Sequence, residues 1–87
     1  MQYDKGEHPE AVSSRTEFAK FVDSLRADLA ANPEGWENKS LDDFLRALAD
    51  YAYDVPSYLS DVGSEIDPNR PSWCLFSILL CGARVYE

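Results

Sequence analysis

The sequence is short of the side chains that most chemistry requires. There is one histidine in 87 residues, His8, and it stands beside Pro9 in a stretch without periodicity. An imidazole that nothing orients is a poor general base. The only cysteines are Cys74 and Cys81. Seven positions apart on one helix they would lie about 10 Å from each other, beyond the reach of a disulfide. Their spacing fits no zinc pattern, and a lone histidine cannot complete one. They read as reduced thiols on a buried helix, where apolar surroundings raise the thiol pKa and block access. The four glycines are scattered singly, which excludes a glycine-rich loop that cradles phosphate.

Positive charge is scarce as well. Eight Lys and Arg face sixteen Asp and Glu, for a net charge of −8. That balance opposes nucleic acid, where each phosphate contact needs a Lys or Arg, and opposes anionic membrane surfaces for the same reason. A macromolecular partner, if there is one, is expected to be a basic protein. Long apolar runs are missing too. The greasiest, WCLFSILLCGA at 73–83, falls well short of the roughly 20 residues of a membrane span. The opening MQYDKGEHPEAVSS is polar, which predicts neither a signal peptide nor an anchor and hence a cytoplasmic location.

What is present is core material. Hydrophobic residues make up 45% of the chain and aromatics 13%, enough to argue against disorder and for one domain. Residues 1–13 lack periodicity and read as a flexible tail; residues 14–87 read as a single helical domain. Ser14 with Glu17 forms a capping box, and Phe18, Phe21, Val22, Leu25 and Leu29 follow at helical spacing, as far as Asn32-Pro33. Pro33 and Gly35 punctuate a loop in which Trp36 reads as a plug over the core. Ser40 starts a second helix, with Asp42 and Asp43 where the dipole favours negative charge. Leu41, Phe44, Leu45, Leu48, Tyr51 and Ala52 are its expected apolar face, and Asp54-Val55-Pro56 is expected to close or kink it. A third helix starts at Pro71 or Ser72. Only Ser77 and Arg84 give it a polar edge. A helix apolar on most sides has to be surrounded, so the expected fold is all-α: a small three- to four-helix bundle with the C-terminal helix as its central element. Gly82 in that helix suggests close packing.

Chemistry is mostly absent from this pattern. Helix capping accounts for Ser14, Ser40 and Ser72. Asp43 and Asp50 lie about 10 Å apart on one helix, too far to share an ion, and neither DPNRPSW nor SDVGSEID matches a calcium loop. No catalytic residue, metal ligand or cofactor is expected, and the chain does not read as an enzyme.

The surface remains. Ten acidic residues stand between Asp28 and Asp67 against Lys39 and Arg46 alone. Tyr53 sits among Asp42, Asp50 and Arg46 as a tyrosine does in interfaces built to meet a basic partner; the plain alternative is a solvated helix back. The expected partner-binding residues are Asp42, Asp43, Asp50, Tyr53 and Asp54, with Glu34, Trp36 and Glu37 at the rim.

The spacing SR-EF--F---L--DL--NP--WEN--L-DFL-AL--Y leading to PSW-LF--IL-----YE resembles a family of small acidic bacterial proteins of unknown function. The resemblance covers residues 14–87 and rests on Arg15, Phe18, the 32–38 stretch NPEGWEN, Phe44-Leu45, Pro71-Ser72-Trp73 and Tyr86-Glu87. It implies a bacterial, cytoplasmic origin and carries no catalytic residues. Two functional expectations follow. One is an inhibitor or immunity-type protein that blocks a basic toxin or nuclease through its acidic surface. The other is a stand-alone accessory or regulatory domain that self-associates by its last helix. A monomer is the expected state; for a homodimer, Trp73, Leu75 and Tyr86 are the candidates.

Overall fold

The computed structural model describes residues 8–87. Three helices form: α1 (Arg15–Ala31), α2 (Leu41–Asp61) and α3 (Trp73–Ala83). Short 3-10 turns at Pro9–Ala11 and Pro33–Gly35 accompany them, and no strand occurs among the described residues. Each helix starts where a serine hydroxyl can accept an otherwise orphaned amide. Ser14 Oγ accepts from Glu17 N at 3.1 Å, Ser40 Oγ from Asp43 N at 3.1 Å, and Ser72 Oγ from Leu75 N at 3.0 Å. The capping box is shifted by one residue, because the Glu17 carboxylate takes the backbone N–H of Ser13 rather than that of Ser14.

The fold is the expected helical bundle, with the C-terminal helix at its centre. α3 packs against α2, α1 and the Pro9–Ala11 turn, whereas α1 and α2 hardly touch each other. Two clusters fill the interior. Tyr51, Val55 and Leu59 of α2 meet Leu75 and Ile78 of α3 in one. Val12, Phe21, Leu25 and Trp36 form the other, with Leu80 and Cys81 of α3 against them. Both cysteines are half-buried and unbridged.

Several expectations fail in an informative way. The polar edge of α3 points inward: Ser77 is 0% exposed and Arg84 is buried. Ser77 solves its own problem by donating its hydroxyl to the Trp73 carbonyl one turn back at 2.9 Å. Arg84 reaches Asp28, 3.7 Å away. The α2 face is rotated from the expected one. Leu41 and Leu45 stand 72% and 52% exposed, while the expected Tyr51 is buried together with Ala47, Val55 and Leu59, which were not expected. Pro56 neither closes nor breaks α2. It cannot donate to Ala52, but Ala52 and Pro56 both face solvent, where water can take the bond.

Of the stretch expected to be a flexible tail, residues 1–7 lie outside the described residues. The remainder is seated on α3, with Val12 buried and the Cys74 thiol donating to the Glu10 carbonyl at 3.4 Å. A single valine has no periodicity to announce it.

Candidate protein interface

The acidic residues of α2 acquire their geometry from its length. Asp43, Asp50, Asp54 and Asp61 fall at i, i+7, i+11 and i+18, so they share one stripe along about 27 Å of helix axis. Asp61 lies beyond the Asp54-Val55-Pro56 stretch at which the helix was expected to close or kink, and joins the stripe because α2 runs on to it. Asp42 is not on this stripe, since one residue turns the helix by about 100°. Tyr53, 84% exposed, lies off the stripe as well, beside Asp42 at i+11.

The stripe is not uniformly bare. Asp43 pairs with Arg46 at 3.0 Å, an exposed contact of the kind that contributes little. Asp54 accepts a hydrogen bond from the Tyr86 hydroxyl, which holds the chain's end against α2. That bond, backed by burial and by the charges of Asp54 and Asp50, raises the Tyr86 pKa. The neutral phenol is therefore the donor at neutral pH.

Around Tyr86 lies an aromatic group. Its ring is tilted against Tyr51 with centroids 4.9 Å apart, and Tyr58 meets Tyr51 edge-on at 6.3 Å. Burial pushes the Tyr51 phenol up to about 12. A shallow depression of about 600 Å³ opens here, with Tyr58 and Tyr86 beside the carboxylates of Asp54, Asp61 and Glu87. Tyrosine faces and carboxylates both attract cations. Tyr58, Tyr86 and Glu87 were not among the expected contact residues; continuing the helix through Pro56 brings in Tyr58 with Asp61, whereas Tyr86 and Glu87 come from the far end of the chain, with no local signal to place them there.

The loop residues behave differently. Glu34 and Glu37 are exposed. Trp36 is 6% exposed and cannot be presented to a partner. Its Nε1–H donates to Asp28 Oδ2 at 2.8 Å, its ring stacks on Phe44 with centroids 6.0 Å apart, and the Arg84 guanidinium lies 5.9 Å over its face. Trp36 is a core residue and leaves the contact set. Asn38 beside it donates to the carbonyls of Ala83 and Tyr86, both at 3.0 Å, while the Glu37 and Asn38 amides share the Arg84 carbonyl. The 32–38 loop thus caps the C-terminal end of α3, which links the two motifs NPEGWEN and YE physically.

Among the described residues no group of three or more His, Cys, Asp or Glu is placed to hold a metal ion, and no helix is long and apolar enough to cross a membrane. Residues 14–87 match a family of unknown function, DUF7660. Neither the curated proteins nor the solved structures yield a match. The chain belongs to the DUF7660 family.

Proposed function

We propose, since membership of this family assigns no activity, that the chain is a non-enzymatic binding protein of the inhibitor or immunity type. In this reading it is a bacterial, cytoplasmic protein whose acidic surface meets a basic partner protein. The observation that carries the proposal is the aspartate stripe at 43, 50, 54 and 61 on one unbroken helix, extended at its C-terminal end by Tyr58, Tyr86 and Glu87. Carboxylates fixed on a rigid element steer a basic surface toward them, and exposed tyrosines add contact area with little side-chain entropy to lose. The contact set is Asp43, Asp50, Asp54 and Asp61, flanked on one side by Asp42 and Tyr53, with Glu34 and Glu37 outside it as long-range charge.

The test is capture of partners from the native cell lysate by the tagged chain, with mass spectrometry, repeated with Asp43→Lys/Asp50→Lys. One stoichiometric basic protein that associates about ten-fold more slowly with the reversed chain supports the reading. Equal association with both chains removes the site assignment.

The alternative, an accessory domain that self-associates by α3, loses part of its surface in the structure. Leu75 is buried and Tyr86 is half-buried against Tyr51, so of its three candidates Trp73 is the one that stands exposed.

A further inference from the structure

A second surface has the opposite character. Because α1 and α2 hardly touch, a trough runs between them with α3 as its floor. Phe18 of α1, Leu45, Leu48 and Ala52 of α2, and Phe76 and Leu79 of α3 line about 390 Å³ of it. It continues past Leu80 into a further 280 Å³ beside Leu41 and Phe44, edged by Arg26 and Lys39. From Leu41 to Ala52 it is about 16 Å long, three turns of helix.

Sequence and charge indicate what fits. Leu41, Leu45, Leu48 and Ala52 are spaced 4-3-4, the repeat with which one helix receives the knobs of another. One rim and one end of the trough gather positive charge on an otherwise acidic molecule. Arg15 and Arg26 share the edge of α1 with Val22 at i, i+11 and i+7, and Lys39 closes one end. These are three of the chain's eight basic residues. Asp23, paired with Arg26 at 2.7 Å, and Asp42 offset them only in part. A second copy is a poor occupant. A two-fold contact presses a patch on itself, which sets trough against trough and leaves the α3 floor uncovered. The opening is on the order of 200 Å², far from the roughly 800 Å² per partner of a stable interface. A helix 10–12 Å across laid along the opening can send the side chains of one face down onto the α3 floor.

We infer that this trough is a docking site for an amphipathic helix of a partner protein, three to four turns long, with a leucine-type apolar face and acidic flanks. It is separate from the aspartate stripe, and either assignment stands without the other.

The probe is a fluorescein-labelled 14-residue peptide with Leu at 4-3 spacing and Glu at the flanking positions, titrated with the full chain by anisotropy. Its counterpart carries Lys in place of Glu. The Glu peptide should bind at least ten-fold more tightly, and Leu45→Glu should abolish binding. Leu41→Glu, at a still more exposed position, repeats the measurement should Leu45→Glu lose its helical circular dichroism. Arg26→Glu/Lys39→Glu should reverse the peptide preference. Equal affinity for the two peptides, no binding of either, or binding that survives both leucine variants overturns the inference. So does sedimentation showing a wild-type dimer that Leu45→Glu dissolves, since the occupant is then a second copy.

Discussion

The ring of Tyr51 occupies the space that a side chain at position 82 would need. A Cβ on Gly82 would fall on that ring, 2.7 Å from Cδ2 and 2.8 Å from Cζ. The glycine is what lets α2 and α3 approach where the tyrosines gather. Glycine costs a helix about 1 kcal/mol relative to alanine, so close packing has to outweigh that loss.

Gly82→Ala is therefore expected to destabilise the chain despite its better helix propensity. Tyr51 is hemmed by Tyr86 and Tyr58, so the ring has little room to retreat. Overpacking of this kind costs about 1–3 kcal/mol net, readable as a lower urea midpoint. Tyr51→Leu/Gly82→Ala should lose less than the sum of the two single changes. Strict additivity would show that the ring and the glycine do not depend on each other.

The buried end of α3 supplies a second prediction. Asp28 accepts from Trp36 Nε1 and faces Arg84, whose guanidinium is also held to the Cys81 carbonyl through Nε at 2.8 Å. Asp28→Ala removes an acceptor and the negative charge together, for an expected loss of about 2–3 kcal/mol. Asp28→Asn keeps an acceptor for the indole and should lose less. Urea unfolding followed by tryptophan fluorescence separates the two. Equal losses would assign the whole effect to charge.

These residues mark where the sequence was legible. Serine caps, helix count and the central position of α3 follow from local patterns: Ser14, Ser40 and Ser72 each precede a periodic run, and a helix with Phe76, Ile78 and Leu79 on different sides has to be enclosed. The rotation of α2 was not legible. Leu41 and Leu45 are more hydrophobic than Ala47, yet Ala47 is buried and the leucines stand open along the trough. Arg84 looked like an outward edge because its carboxylate partner, Asp28, is 56 positions away. The acidic stripe was found in part. Asp61 and Tyr58 lie past Pro56, where the helix was expected to close or kink but instead runs on.

Pro56 gives the third prediction. It lies within α2 and cannot donate a hydrogen bond to the Ala52 carbonyl. Both residues are exposed, so Pro56→Ala meets no steric obstacle and restores that bond. A proline in a helix interior costs about 3 kcal/mol relative to alanine, partly offset by its stiffening of the unfolded chain. The variant is expected to be about 1–2 kcal/mol more stable. A destabilised variant would mean that the helix needs a bend at this point.

The start of α1 carries a pH dependence. Ser13 donates its backbone N–H to Glu17 Oε1 at 2.7 Å and its hydroxyl at 3.0 Å. These bonds, the backbone one foremost, hold the Glu17 carboxyl below its ordinary value of 4.5. A depressed carboxyl pKa means that the folded state binds the proton less readily than the unfolded state does. The contribution to stability is therefore fully present above pH 4.5 and is lost as pH falls through the lower folded value. Glu17→Gln retains the shape of the cap without the charge. It should lower the urea midpoint at pH 7, and its gap from the wild type should narrow below pH 4.5 as the wild-type carboxylate takes up its proton. A gap that stays constant down to pH 3 would show that the cap works without the negative charge.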